Sequence, residues 1–502
     1  MRRLYLFTVL ILSLAVLPQT ISAQRRGRIE NVSHYGSPTP ISGLRRIGSQ
    51  ASAPIRSVGS PILPILLVQF SDKKFSVAGT DNLVNQLYDS FFNASEGIHP
   101  GQEGYTSWCS VREYFRMQSG GLFTPQFVII GPVTLDNGYA YYGQNSRSSK
   151  DINISKFYSE ACQKAAASSQ YPWADFDNNN NGNVDFVFFI YAGEGENGCD
   201  DTNTIWPKES VSSLSVQTET ERIVFGAYGC TNELFSGGQD GIGPIIHEMG
   251  HGLGLPDFYD TNYNAFGLDC WDIMDSGCYQ LDGHQPCHMS AYELEFMNWR
   301  QLVTIAPDSA TSLTLNPLEA GGTAYKLPNP SNRNEYYILE NRQNIGCDRF
   351  FGCVSTEQYN KYGANHGLMV THVDFSQSAW NNNTVNTSSS HQRITIVPAD
   401  GQLVSSIPDF NSTWAKSIHG DLYPSDKNVT ELTSYKTFTG SNLGLIVNNI
   451  QETNDGLITL DINGGSTPTV SGIIRAIDSY RNRTDIPIRR VTSIIERLQN
   501  AQ

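Results

Sequence analysis

The segment Ile242–Asp257, IGPIIHEMGHGLGLPD, constrains this chain of 502 residues more than any other stretch. Residues four apart on an α-helix lie about 40° apart around the axis and about 6 Å along it, so His247 and His251 would face one point. Two imidazoles in that arrangement can bind a single zinc ion. Glu248 follows the first histidine and is predicted to act as a general base that takes a proton from the attacking water. The pattern therefore predicts a helix that carries a metal site.

The residues after the second histidine indicate where a third ligand lies. Gly254 and Pro256 favour the end of the helix and a turn, which would bring Asp257 to the ion and leave a fourth position open. An open position is typical of catalytic zinc rather than structural zinc. Glu293, in the later segment SAYELEFMNW, is the alternative third ligand, and Asp257 would then brace a histidine. Spacing alone leaves both acids as candidates.

A second motif supports a catalytic site. The segment Trp271–Gly277, WDIMDSG, supplies Met274 where a Met-turn would lie beneath the metal. Tyr279 is a candidate for a hydrogen bond to the developing oxyanion, although a tyrosine in a loop is more commonly a packing residue. The simpler alternative is a core helix whose two histidines are only hydrogen-bonded, and it does not explain why Asp257 and Met274 fall in register.

These motifs resemble a known family. The segments HEMGHGLGLPDFYD, WDIMDSG and SAYELEFMNW are similar to parts of the immune inhibitor A family of secreted bacterial metallopeptidases. The resemblance runs from about residue 62 to about residue 462 and includes PILLVQFSD, GPVTL, EYYILENRQ and HQRITIVPADG. It implies a zinc-dependent endopeptidase that is stabilised by calcium and made as a secreted precursor, or zymogen. The expected fold is an α+β zincin-like, metzincin-type catalytic domain with a mixed sheet and an active-site helix, followed by an all-β domain.

Changes in composition along the chain predict five parts. An arginine pair, an apolar run and a small-residue exit are typical of a secretory signal peptide, so we expect secretion without stable membrane insertion. The expected parts are a signal peptide at 1–23, a leader or short propeptide at 24–60, the catalytic domain at 61–300, a β-rich accessory domain at 301–464, and a linker with a basic tail at 465–502.

The segment Asp177–Asp185, DNNNNGNVD, has the oxygen spacing of a calcium loop. Gly182 stands where the loop must turn sharply, but the twelfth position is Phe188 instead of a glutamate, and a strand follows. We therefore expect a single structural calcium loop, the alternative being an Asx-turn that binds no ion. The candidate ligands are Asp177, Asn179, Asn181 and Asp185.

Strand-like segments are expected on both sides of the metal site. Phe186–Tyr191 and Arg222–Tyr228 would flank the helix, and an edge strand is expected to receive the substrate backbone by strand addition. After Trp299, short apolar runs separated by turn residues predict the β-rich region, with the polar insert Ser376–Ser390 as a surface loop. Four histidines of that region have no ligand-like spacing and are expected to bind no metal: His366, His372, His391 and His419.

Nine cysteines in an exported chain predict disulfide bonds with one thiol left over. Proximity in sequence favours Cys278 with Cys287, Cys347 with Cys353, and Cys199 with Cys230. No cysteine lies in a recognisable protease signature, which disfavours a cysteine nucleophile.

The formal charge of −15 disfavours nucleic-acid partners, because phosphate binding needs a basic surface. We expect protein or peptide substrates, whereas the oligomeric state is not predicted. Two other functions fit the same residues less well. One is a calcium-stabilised binding protein that has lost turnover, and the other is a zinc hydrolase that acts on a glycan or an ester.

Overall fold

The computed structural model describes residues 53–463 apart from several short gaps. The gaps are residues 77–79, 95–108, 148, 168–170, 200, 211–212, 220, 307–308, 407–409, 433–435, 442 and 444. The predicted signal peptide, most of the predicted leader, and the linker with its basic tail lie outside the described residues. Among the helices that are described, none has the length and apolar character needed to cross a membrane.

The first part of the fold is built on a six-stranded sheet. The strands of this part are β1 (Ile62–Gln69), β2 (Gln126–Thr134), β3 (Val187–Glu194), β4 (Lys208–Ser210), β5 (Leu214–Gln217), β6 (Arg222–Phe225), β7 (Tyr228–Phe235) and β8 (Gly238–Gln239). All but β5 and β6, which form a separate ribbon, belong to the sheet, whose order is β2-β1-β3-β7-β4. The strands β2, β1, β3 and β7 run parallel, whereas β4 and β8 pair with β7 in the antiparallel direction. The sheet is therefore mixed, as predicted.

Helices cover both faces of this sheet. They are α1 (Asp81–Asn93), α2 (Val111–Gln118), α3 (Tyr139–Gly143), α4 (Ile154–Ala167), α5 (Glu196–Cys199), α6 (Gly243–Gly252) and α7 (Ala291–Phe296). Successive side chains of a strand point to opposite faces. Accordingly, Ile65 of β1 packs in the core that contains α1, α2 and α6, and Leu66 packs in the core that contains α4. Burial on both faces explains why β1 reads as a continuous apolar run.

The second part contains two further sheets. Its strands are β9 (Val303–Thr304), β10 (Thr311–Leu315), β11 (Tyr325–Asn329), β12 (Asn332–Arg342), β13 (Gly367–Asp374), β14 (Ile394–Ile396), β15 (Val447–Glu452) and β16 (Ile458–Ile462). One sheet has the order β14-β13-β12-β11-β9 and the other has the order β10-β16-β15.

The expectation of an all-β region is wrong, because helices lie between these strands. They are α8 (Thr356–Tyr362), α9 (Gln377–Asn381) and α10 (Ser412–Ser417). Each begins after a polar side chain, Ser355, Ser376 or Asn411, which accepts hydrogen bonds from the backbone of the first turn. Such caps satisfy N–H groups that have no partner within the helix. These caps lie inside polar segments, and the helices that they begin were not predicted.

The two parts share one hydrophobic core. Phe258 and Tyr292 of the first part and Trp380 of the second belong to the same buried cluster, and the Trp380 ring lies 6.4 Å from Phe258 and 6.0 Å from Tyr292 between ring centroids. The insert Ser376–Ser390, expected as a surface loop, therefore contains a fully buried tryptophan that packs against the first part.

The end of the predicted leader also belongs to the folded body. The backbone N–H of Ile55 donates to the carbonyl of Gly252 at 2.9 Å, at the end of α6. Ser57 Oγ donates to Met297 O at 3.0 Å, and Trp299 Nε1 donates to Ser57 O at 2.5 Å. The predicted domain boundary at residue 60 thus falls inside a segment that contacts the catalytic part.

The nine cysteines all lie among the described residues, and none of them forms a disulfide bond. The expected pairings are therefore not supported. Several thiols have hydrogen bonds of their own instead: Cys199 Sγ donates to Gly195 O at 3.1 Å, and Cys230 Sγ accepts from the Tyr158 hydroxyl at 3.1 Å.

Candidate metal centre

The helix α6 is shaped by glycines at its two ends. A Cβ on Gly243 would lie 1.8 Å from the carbonyl oxygen of Cys278, so only glycine allows this close approach. Gly254 has a φ of +101°, a backbone conformation that ends a helix at little cost for glycine. Its N–H donates to the carbonyl of His251 at 2.8 Å. The helix therefore ends where the sequence predicts, and the chain turns back toward the histidines.

This turn brings together the three predicted metal ligands. Asp257 Oδ1 lies 3.2 Å from His247 Nε2 and 3.2 Å from His251 Nε2. The three ligand atoms all lie within 4.8 Å of one another. Each of the three residues is about 1% exposed, so the cluster lies inside the protein.

Backbone carbonyls fix the orientation of both imidazoles. His247 Nδ1 lies 2.9 Å from Ile273 O, and His251 Nδ1 lies 2.9 Å from Leu255 O. Because a carbonyl only accepts hydrogen bonds, each Nδ1 carries a proton, and in the neutral form of the ring Nε2 then presents its lone pair to the cluster. Hydrogen bonds of this kind, from the far ring nitrogen to a carbonyl, orient metal-binding histidines.

The cluster fits a zinc ion by the chemistry of its donors. Two neutral imidazoles and a carboxylate are a common three-ligand zinc set with a fourth position left open. His247 Nε2 and Asp257 Oδ1 are buried and make no hydrogen bond within the part of the chain that the structure describes. Buried polar atoms normally have a partner, and a cation between the three side chains would supply one.

Electrostatics keep Asp257 in its charged form. Burial by itself raises the pKa of Asp257, but the adjacent His251 and the contact with His247 outweigh this effect and lower the pKa below its usual value. A deprotonated carboxylate is the form that binds a metal.

Met274 packs against the metal-bearing helix at Gly250, and its assignment to a Met-turn stays a prediction. A Cβ on Gly250, between the two histidines, would lie 2.5 Å from Met274 Sδ. The Met274 carbonyl accepts from the N–H of Phe258 at 2.9 Å, and the preceding carbonyl of Ile273 contacts His247. The same segment thus supports the first histidine and the loop that carries Asp257.

Glu248 and Tyr259 complete the surroundings of the cluster. Glu248 follows His247 in the sequence and is fully buried. Tyr259 is buried with its ring stacked on His247, 6.5 Å between ring centroids. Burial, then the charges of Asp257, Tyr263 and Glu248, raise the pKa of Tyr259 well above its usual value. Sequence reasoning missed Tyr259, although its position two residues after Asp257 was a usable signal.

Glu293 and Tyr279 lie in other environments. Glu293 Oε2 accepts from Ser290 N at 2.7 Å and Ser290 Oγ at 3.1 Å, so its carboxylate forms the capping box of α7. Burial, followed by the charge of Asp272, raises its pKa well above normal. The ring of Tyr279 packs against Phe235 at 6.3 Å, which favours a packing role. The oxyanion role of Tyr279 stays a prediction.

The predicted calcium loop is a compact turn. Asp177 accepts from Asn181 N at 3.0 Å and from Gly182 N at 2.7 Å, whereas Asp185 accepts from Asn178 N at 2.9 Å and also contacts Asn179. Gly182 has a φ of +85°, which is consistent with the sharp turn that its position predicts. These contacts are compatible with the Asx-turn alternative and with a calcium site.

The strands expected beside the helix have other places in the sheet. Phe186–Tyr191 largely coincides with β3, which lies between β1 and β7 and is no edge strand. Arg222–Tyr228 is divided between β6, in the separate ribbon, and the start of β7. The edge strand on the side of β7 is β4, and α6 packs against both β7 and β4.

Three of the four histidines of the second part pair with acids, and the fourth, His419, is half-buried. His366 contacts Glu452 at 2.7 Å, His372 contacts Glu335 at 3.0 Å, and His391 contacts Asp374 at 2.8 Å. Burial lowers the pKa of His419.

A comparison with known proteins covers the part of the chain that carries this cluster. Residues 58–302 match the family described as immune inhibitor A peptidase M6, catalytic domain. This segment of the chain is similar to the peptidase M6 catalytic domain. The resemblance predicted from the motifs is thereby confirmed, and the match supports a metal-dependent endopeptidase, which is a hydrolase.

Two relatives illustrate the similarity of the M6 domain. The pre-pro-metalloprotease PrtV of Vibrio cholerae serotype O1 is 29% identical over 268 residues, which is 46% of this chain and 29% of that protein. Immune inhibitor A of Bacillus thuringiensis subsp. alesti is 25% identical over 285 residues, which is 48% of this chain and 41% of that protein. The chain thus matches less than half the length of each relative.

Proposed function

We propose that this protein is a secreted zinc-dependent endopeptidase that hydrolyses protein or peptide substrates. The observation that carries the proposal is the convergence of His247 Nε2, His251 Nε2 and Asp257 Oδ1 in a buried cluster. Glu248, which follows the first ligand in the sequence, is buried as well. The M6 match and the metalloprotease name of the Vibrio relative support the same activity. Secretion rests on the predicted signal peptide.

In the proposed mechanism, His247, His251 and Asp257 hold the ion and Glu248 moves the proton. Bound zinc would polarise the scissile carbonyl and increase the acidity of the attacking water. Glu248 then accepts the proton of that water and transfers it to the leaving amine nitrogen. Burial of Glu248 strengthens its interaction with the charge that develops beside it, because the effective dielectric constant is lower inside a protein.

We also propose that β4 receives the substrate backbone. It is the edge strand of the sheet beside β7, and α6, which carries the metal cluster, packs against it. An extended peptide can add to such an edge through main-chain hydrogen bonds, which bind it in a fixed direction across the site.

Removal of the metal tests the proposed function. We expect 1,10-phenanthroline to abolish cleavage of casein or gelatin by the purified secreted protein, and added zinc to restore it. The measurement is zymography together with the zinc content of the protein. A protein that contains zinc but cleaves no protein substrate would instead support a hydrolase of glycans or esters, or a binding protein without turnover.

We propose, in addition, that the loop Asp177–Asp185 binds a structural calcium ion. We expect calcium to raise the melting temperature of the wild-type protein and to have much less effect on Asp177→Asn. A ligand that binds only the folded state adds about 2.7 kcal/mol at one hundred times its Kd. A melting temperature that does not respond to calcium would favour the Asx-turn that binds no ion.

A further inference from the structure

Asn383 contacts the third candidate ligand from a distant part of the chain. Its Oδ1 accepts from the backbone N–H of Asp257 at 2.7 Å, and its Nδ2 donates to Asp257 Oδ2 at 2.5 Å. One side-chain amide thus binds both the main chain and the carboxylate of Asp257. Only one orientation of the amide satisfies the two contacts, since the N–H needs an acceptor and the carboxylate needs a donor.

The two oxygens of Asp257 therefore have different partners. Oδ2 is held by the amide of Asn383, whereas Oδ1 faces the Nε2 atoms of His247 and His251. Fixing Oδ2 restricts rotation of the carboxylate and directs Oδ1 at the cluster. It also favours a carboxylate that offers a single oxygen to an ion.

The position of Asn383 is well defined by its surroundings. It is about 2% exposed and follows α9, whose Trp380 carbonyl accepts from the Asn383 N–H at 3.3 Å. Its φ of +51° lies in the left-handed region, which asparagine adopts more readily than most residues. Buried Trp380 anchors the helix against Phe258, the residue after Asp257.

A second asparagine fastens the same insert one residue beyond the ligand. Asn386 Nδ2 donates to Phe258 O at 2.6 Å and to Ile394 O at 2.8 Å. Asn386 Oδ1 accepts from Ile394 N at 3.1 Å. The insert is thus attached to β14 as well as to the ligand loop, so Asn383 does not depend on a single contact.

We propose that Asn383 is a positioning residue for the third metal ligand, so that the second part of the fold completes the metal centre. This inference rests on the proposed function, because it assumes that Asp257 binds the ion. The M6 match ends at residue 302 and therefore does not include Asn383. Loss of a partner that orients a metal ligand typically weakens metal binding by 10–100-fold.

The test uses the full chain and the variant Asn383→Gly, which removes the amide but tolerates the left-handed backbone. We expect its zinc Kd, measured by competition with a chromogenic chelator, to rise by about 10–100-fold. The visible spectrum of the cobalt(II)-substituted protein should also change, since this spectrum reports the geometry of the ligands. The melting temperature of the metal-free variant shows whether it is folded.

Two control variants separate this role from general support of the insert. Asn382→Gly changes the exposed neighbouring residue, and Asn386→Ala removes the contact with Phe258 but leaves the amide on Asp257. Both should keep a zinc Kd and a cobalt spectrum close to those of the wild type. If Asn383→Gly does not fold, Asn383→Asp provides the same readouts, because it keeps the acceptor for the Asp257 N–H and loses the donor to Oδ2.

The outcomes distinguish the two proposals. A wild-type protein that binds zinc, with unchanged Kd and spectrum in the Asn383 variants, would overturn the role of Asn383 alone. An equal loss in Asn386→Ala would show that docking of the insert matters and not the amide contact, which also overturns it. A wild-type protein that binds no zinc would overturn the proposed function itself.

Discussion

Replacement of Glu248 by glutamine is expected to lower the rate of peptide-bond hydrolysis by about 10²–10⁴-fold, the range typical of a lost general base. Glutamine has nearly the same size, but it cannot accept the proton of the attacking water. The zinc content should stay at the wild-type level, because Glu248 is not one of the three residues whose atoms converge. The measurements are kcat/KM on a fluorogenic peptide and the metal content of each protein.

Glu293→Gln is a matched control for this experiment. Glu293 is also a fully buried glutamate, but its carboxylate caps α7, and glutamine can make the same capping contacts. We expect zinc content and activity to change little. If Glu293→Gln loses zinc and Asp257→Asn retains it, the third ligand is Glu293. Full activity of Glu248→Gln would rule out the proposed proton transfer.

Replacement of Arg342 by alanine is expected to destabilise the protein by about 3–5 kcal/mol, because it leaves buried carboxylates without their partner. Arg342 is fully buried at the end of β12. Its Nε and Nη2 donate to the two oxygens of Asp348 at 2.6 Å and 2.8 Å, and Nη1 donates to Glu340 Oε1 at 3.3 Å. Burial alone lowers the pKa of Arg342. The charges of Asp348 and Glu340 outweigh this effect and raise the pKa well above its usual value, so the guanidinium stays charged.

This ion network joins the two parts of the fold. Arg342 Nη2 also donates to His288 O at 2.8 Å, and Glu340 accepts from Ala291 N at 2.6 Å, at the start of α7. Loss of the guanidinium therefore removes one contact between the second part and the segment that precedes α7. A thermal melt should show a fall of about 3–6 °C, from the usual conversion of free energy to melting temperature for a folded body of this size.

Arg349→Ala is the matched control, since Arg349 is an exposed arginine in the turn Gly346–Phe350, which also carries Asp348. Surface substitutions usually change stability by less than about 0.5 kcal/mol. Combining Arg342→Ala with Asp348→Asn should recover part of the loss, because it removes one unpaired charge. Equal melting temperatures of Arg342→Ala and the wild type would contradict the assignment of a stabilising network.

The metal cluster was predictable because its chemistry lies within eleven residues of sequence. The spacing from His247 to Asp257 implies a helix, a glycine turn and a returning acid, and the structure brings their atoms together. The strands of the second part were also predictable, since short apolar runs such as GLMVTHVD are separated by turn residues. The match to the M6 family supports the reading of these motifs.

The contacts between the two parts could not be predicted. Asn383 lies 126 positions from Asp257, and an asparagine in a polar segment gives no signal that it will be buried. Trp380 in the same insert was a usable warning, because tryptophan is seldom left in a surface loop. The expected disulfide pairings are not supported, because proximity in sequence does not reveal the environment of each thiol.

The hydrogen bond from Ile55 to Gly252 has a consequence for the predicted removal of the leader. Ile55 is buried against the end of the helix that carries both histidines, and Ser57 and Trp299 hold the same segment in place. A cut immediately before β1 would remove this support from the metal-bearing helix. If the predicted leader is removed by proteolysis, we expect the cut that leaves a working enzyme to lie upstream of Ile55, so that the last residues of the leader stay with the catalytic part.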